Sequence, residues 1–125
     1  MPRKTQRPSP RRKGDQKERL AEQYLLQQGL KLLVRNFQCK LGEIDLVMQH
    51  GDTRVFVEVR YRKSRAFGSA VESVDFRKQQ KLIKTAQFYL LQDKDSERLP
   101  SRFDVIAIEG DSNTIEWITN AFAAG

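Results

Sequence analysis

The chain has a single cysteine, a single histidine and a single tryptophan. One thiol, Cys39, excludes an internal disulfide framework and fits a reducing cytoplasm. One cysteine and one histidine cannot supply a structural zinc site, which takes four such ligands. His50 stands beside a turn signal, so no Ser-His-Asp arrangement can be assembled around it. No apolar run approaches the ~18 residues that span a bilayer. The N-terminal arginines are not followed by the apolar core of a secretory signal. There is no internal repeat and no glycine-rich phosphate loop. The expectation is a cytoplasmic protein with no membrane partner.

What is present is charge, unevenly spread. Seven of the 23 Lys/Arg and one of the 16 Asp/Glu fall in residues 1–17, so +6 of the net +7 sits there and residues 18–125 carry +1. The prolines of MPRKTQRPSPRRKGDQK, and its lack of apolar residues after Met1, predict a disordered basic arm over residues 1–13. Arg11, Arg12 and Lys13 can hold nucleic acid through phosphate contacts; a solubilising tail would look the same. Residues 14–125 are expected to form one domain, with 38% hydrophobic residues to build its core.

The pattern predicts a helix from Gly14 or Asp15 to about Gln28. Leu20, Ala21, Tyr24, Leu25 and Gln28 form its inward stripe, and Gly29 is its stop. Glu18 borders that stripe, and Glu22 falls further toward solvent. Glu18 can reach a site between helix and sheet, or serve as a solvated acid in the first turn. Residues 30–38 read as a first strand. Two more follow in GEIDLVMQHGDTRVFVEVRYRK, Gly42 to Lys63, joined by a turn at Gly51-Asp52. Counting outward from that turn pairs Met48 with Val55, Leu46 with Val57, Asp45 with Glu58 and Glu43 with Arg60. Glu43, Asp45, Glu58 and Arg60 then share one face.

Opposed carboxylates destabilise a sheet unless something compensates. Mg²⁺ or Mn²⁺, held through oxygen ligands and water, is one solution, and would activate water toward a phosphodiester. A Glu43–Arg60 salt bridge with the other acids in solvent is the plainer one, and spacing leaves both open. Beyond the hairpin, residues 62–72 form a basic loop with Arg62, Lys63 and Arg65. A second helix runs from Val74 or Asp75 to Leu91, with Phe76, Leu82, Ile83, Ala86, Tyr89 and Leu90 as its packing side. Arg77, Lys78, Lys81 and Lys84 make its cationic side, which suits either solvent or nucleic acid. Strands are predicted over 102–108 and 114–119, with NAFAAG as a loose end. The order α-β-β-β-α-β-β is that of an α/β sandwich with a mixed sheet.

The blocks ERLAEQYL, NFQCKLGEIDL, VFVEVRYR, FGSAVESVDFRKQQKLIKTAQFYL and RFDVIAI, in this order from about Lys17 onward, resemble the bacterial YraN family. That family is related to archaeal Holliday junction resolvases and is similar to PD-(D/E)-x-K nucleases. The resemblance implies a restriction-endonuclease-like α-β-β-β-α-β core, a mixed central sheet flanked by helices. It implies Asp45 and Glu58 as the motif's two acids and as ligands of Mg²⁺ or Mn²⁺, with Glu18 as the auxiliary metal ligand on the first helix. Arg60 falls where the motif has lysine. It stays charged and can clamp a phosphate, but it transfers protons poorly. Lys63 and Lys78 are candidates for a migrated lysine, and Ile44 replaces the motif's proline.

The function implied is a metal-dependent endonuclease acting on DNA, at branched or single-stranded structures, with Asp45, Glu58 and Arg60 as catalytic residues. Arg62, Lys63, Arg65, Arg77, Lys78 and Lys81, with the arm, would bind the nucleic acid. The alternative is a non-catalytic nucleic-acid-binding protein that keeps the nuclease fold. Resolvases imply a homodimer, though no stretch of the sequence identifies a dimer surface.

Overall fold

The computed structural model describes residues 10–63, 73–94 and 99–123, with side chains from residue 15 onward. Its elements are α1 (Pro10–Gln27), β1 (Lys31–Cys39), β2 (Gly42–His50), β3 (Thr53–Arg62), α2 (Phe76–Gln92), β4 (Ser101–Glu109) and β5 (Thr114–Phe122). The five strands lie in sequence order across one sheet. Three of the four neighbouring pairs run antiparallel, and β3 and β4 run parallel. Parallel neighbours need a long crossover, and α2 lies within it. The architecture is α/β with a mixed sheet flanked by helices, as the element order predicts.

Alternation along the central strands explains why both faces are covered. Val55 and Val57 pack with Leu46, Met48, Ile106 and Ile108 beneath Ala21 and Leu25 of α1. Phe56 points the other way, joining Val47, Phe103 and Val105 against Leu82, Ile83, Ala86 and Tyr89 of α2. Phe56 is 1% exposed, meets Tyr89 edge-on at 5.9 Å and lies 5.5 Å from Phe103. Truncating such a side chain costs about 3–5 kcal/mol. A strand buried on both faces reads as a continuous apolar run, and TRVFVEV does so until its glutamate.

The helix ends follow local chemistry. Gly29, at φ 97°, closes α1: its N–H donates to Leu26 O and the N–H of Leu30 donates to Leu25 O. The accompanying contact places Leu25 and Leu30 in one cluster. Asp75 caps α2 by accepting the N–H of Lys78 at 2.8 Å.

Five sequence expectations are corrected. α1 begins at Pro10 rather than at Gly14 or Asp15, and residues 1–9 of the expected arm lie outside the described residues; proline is favoured in a first turn, where its missing N–H is harmless. Gln28 is exposed, while Glu22, expected toward solvent, is buried because Arg35 of β1 receives it in a bidentate pair at 2.7 and 2.9 Å. Phe76, expected in the core, is 73% exposed. β5 does not end at Thr119 but continues to Phe122 after a bulge, with Asn120 at φ 52° and Phe122 stacked on Phe103 at 4.9 Å. Asp104 holds that bulge by accepting the N–H of Asn120 at 2.9 Å.

Candidate functional site

The β2–β3 ladder follows the predicted register from His50↔Thr53 through Met48↔Val55 to Leu46↔Val57, and then stops. Asp45↔Glu58 and Glu43↔Arg60 are not ladder pairs. Asp45 instead accepts the N–H of Val59 through Oδ2 at 2.8 Å, so a carboxylate occupies a position where a backbone carbonyl would continue the sheet. The strand changes face here. Ile44 and Val47, three residues apart, pack toward α2, while Leu46 between them packs toward α1. Asn36, which falls opposite Asp45 between the pairs Arg35↔Leu46 and Phe37↔Ile44, has φ 53° and lets β1 follow the same turn. Asparagine is among the few residues that enter this region at low cost.

Three acids meet at this kink. Glu18 comes from α1 and shares a small cleft with Asp15, Glu22, Arg35, Asn36 and Leu46. Its carboxyl is pushed up to about 8, first by burial, then by the charge and hydrogen bond of Asp45, with Asp15 and Glu43 adding to it. Glu58, 5% exposed on β3, is pushed up to about 7 by burial and then by Asp45; Lys78 and Arg60 oppose the shift. Asp45 is raised by burial against the pull of the Val59 N–H and of Glu18. Asp45 thus touches both glutamates, and the group favours bound protons or a cation over three free charges. With its carboxamide nitrogen facing the acids, Asn36 donates to Glu18 Oε1 at 2.9 Å and Glu43 Oε2 at 3.2 Å.

Two cations approach from the α2 side. Arg60 Nε lies 3.3 Å from Glu58 Oε2 without making a hydrogen bond, and Lys78 Nζ lies 3.6 Å from the same oxygen. Of the two candidates for a displaced lysine, Lys78 is therefore the one that reaches an acid, while Lys63 is exposed past the end of β3. Helix and sheet can approach this closely because Gly42 opens β2: a Cβ there would sit 2.8 Å from Thr85 Oγ1.

The remaining candidates are dispersed. Arg62 is half-buried and ion-paired with Glu109 of β4, which engages its guanidinium within the fold. Arg77 and Lys81 are exposed on α2. Arg65 lies outside the described residues; Arg11, Arg12 and Lys13 lie in α1, and their side chains are outside the described set. Sequence reasoning missed Asn36 and the Glu22–Arg35 pair. The available signal for Asn36 was an asparagine inside a largely apolar strand, six residues ahead of the GEIDL block.

Among the described residues, no three His, Cys, Asp or Glu side chains are arranged to hold a metal ion. The donor chemistry nevertheless suits Mg²⁺, which is held by one or two carboxylates and otherwise keeps water or takes substrate phosphate oxygens. Asp45 and Glu58, adjacent and both destabilised as free anions, meet that requirement. Among the described residues no helix is long and apolar enough to cross a membrane.

The element order and the five-stranded mixed sheet with its two helices are those of a nuclease-like α/β core. The chain belongs to the uncharacterised protein family UPF0102, the YraN family, whose model matches residues 17–108. It is 52% identical over 118 residues to a UPF0102 protein of Vibrio campbellii, covering 94% of this chain and 97% of that one. It is 56% identical over 109 residues to one of Saccharophagus degradans, covering 87% and 91%. A UPF0102 protein of Legionella pneumophila is 47% identical over 113 residues, covering 90% and 96%.

Proposed function

We propose that the protein is a metal-dependent endonuclease acting on DNA. The observation that carries this reading is Asp45 at the kink of β2, in contact with Glu18 on one side and Glu58 on the other. A fold selected for stability alone gains nothing from clustering three acids whose ionisation burial opposes. Asp45 and Glu58 would hold Mg²⁺ or Mn²⁺, with Glu18 as an auxiliary ligand, and the bound ion would supply Lewis acidity for the phosphodiester. Lys78, from α2, favours the charged form of Glu58 and would hold or orient an attacking water beside it. Arg60 would clamp the scissile phosphate, which suits a planar fork better than proton transfer does.

One observation favours a second reading, a nucleic-acid-binding protein that no longer cuts: the motif's lysine is replaced by Arg60, which already stands against Glu58. Cleavage assays on linear, single-stranded and four-way-junction DNA with Mg²⁺ or Mn²⁺ decide between them. The nuclease reading expects activity that Asp45→Asn, Glu58→Gln and chelator each abolish. It also expects Lys78→Ala to cost about 10²–10⁴-fold, the usual scale for losing a proton-handling group. Binding without cleavage under every metal condition, unchanged by the two acid substitutions, would leave the binding reading standing.

A further inference from the structure

The outer surface of α2 carries a feature that the acid site does not use. Phe76, 73% exposed, lines an open depression of about 460 Å³ together with Arg77, Gln80, Lys81 and Lys84. A lone exposed phenylalanine needs no explanation. Here it shares a concavity with three cations and an amide, and none of the described residues lining it is an acid. The neighbouring carboxylate, Asp75, is engaged as the helix cap through the Lys78 N–H.

We infer that this depression is a binding platform for single-stranded nucleic acid, in which Phe76 stacks on an unpaired base while Arg77, Lys81 and Lys84 hold the flanking phosphates. The inference deepens the nuclease reading by naming its substrate class, and rests on that reading for the role of the acids nearby. A flat aromatic beside clustered cations matches a strand that offers a π-face and phosphates together. Duplex DNA offers only phosphates here, because its base faces are covered by stacking. An anionic membrane is matched less well, since an aromatic anchor works from a projecting surface rather than from a depression.

The platform adjoins the acids through the helix itself. Lys78, the residue after Arg77, reaches Glu58, and Lys81 packs over Gly42, one residue before Glu43. A strand seated on the outer face of this turn is therefore one helical step, ~100° and ~1.5 Å, from the face that meets the acids.

The test measures binding of a fluorescent oligo-dT and of a duplex of equal length in chelator, using the full chain bearing Asp45→Asn so that nothing is cut. The single strand is expected to bind more tightly. Phe76→Ala should weaken it roughly 5- to 100-fold while leaving the duplex unchanged. Lys84→Ala should flatten the salt dependence by about 0.7 in the log–log slope. Phe76→Trp, at an exposed position, adds an indole whose emission should be quenched as oligo-dT binds. Equal affinity for both DNAs, indifference to Phe76→Ala, or Phe76-dependent binding to phosphatidylserine vesicles in place of oligo-dT would each overturn the platform. Phe76-dependent strand binding by a wild-type chain that never cuts would support the platform and defeat the nuclease reading. Cleavage of single strands with KM unmoved by Phe76→Ala would do the reverse.

Discussion

Asp45 and Asp104 use one structural device for opposite ends. Each aspartate accepts the N–H of a residue on the neighbouring strand, Val59 at 2.8 Å and Asn120 at 2.9 Å, where regular pairing fails. Each irregularity also has an asparagine at positive φ, Asn36 at 53° and Asn120 at 52°. The difference lies in what completes the carboxylate's surroundings. Asp104, fully buried, is met by Arg102 Nε at 3.0 Å and Trp117 Nε1 at 3.0 Å, so its charge is neutralised and its oxygens are satisfied. Arg102 in turn contacts His50 Nδ1 at 3.0 Å, a partner that the sequence did not suggest for the lone histidine. Asp45 is completed by two more acids, and the nearest cations, Lys78 and Arg60, stand against Glu58, so its charge is not matched by a partner of its own as Asp104's is. Satisfied networks rigidify a fold, whereas conflicting ones mark places kept for another purpose.

Breaking the satisfied network should have the largest effect. Asp104→Ala leaves a cation, an indole N–H and a backbone N–H without their acceptor and should cost about 3–5 kcal/mol in urea unfolding. Asp45→Asn keeps an acceptor for Val59 and removes a repelling charge, so in chelator at pH 8 its cost should be under about 1 kcal/mol. Equal losses for the two substitutions would erase the contrast.

Gly42→Ala comes next. The added methyl would meet Thr85 Oγ1 at 2.8 Å and push α2, with Lys78, away from the acid end. The expected cost is about 1–3 kcal/mol, the usual range for overpacking, read from the shift in denaturation midpoint. Restoration by a second change, Thr85→Ala, would assign the loss to that contact; failure to restore would place it elsewhere.

The acid cluster should also make metal-free stability depend on pH, a smaller and graded effect. Glu18 and Glu58 titrate near 8 and 7 in the fold, against 4.5 for an unperturbed glutamate. Between those values the folded chain holds protons that the unfolded chain has released, so stability falls as pH rises. The contribution is fully present below about pH 4.5 and gone once pH has passed about 8. Melting in chelator should therefore shift downward between pH 5 and about 8.5, less so for Asp45→Asn, and millimolar Mg²⁺ should restore it at the upper end by binding only the folded state. A flat profile would mean that the three carboxylates do not sense one another.

Much of this was legible in the residues. The turn at Gly51-Asp52 and the strict alternation of VFVEV set the register through Leu46↔Val57, because a one-residue slip would turn every valine to the wrong face. The same counting misplaced Asp45 and Glu43, since alternation assumes a continuous ladder and cannot foresee a carboxylate that replaces a rung. Periodicity likewise placed Phe76 inward and Glu22 outward. Helical spacing reports angle about an axis, not where the neighbouring layer ends or whether an arginine waits on the facing strand.

The amino-acid order by itself determined the element types, the hairpin, the mixed-sheet architecture and the acids worth watching. These follow from local stereochemistry and from the need to bury apolar faces. Only the tertiary structure decided that Asp45 sits between Glu18 and Glu58, that Lys78 rather than Lys63 reaches Glu58, and that Arg62 is committed to Glu109. Those outcomes depend on how two helices meet a kinked sheet, and the few ångströms that separate a charge pair from a solvated side chain are set by packing across the layers.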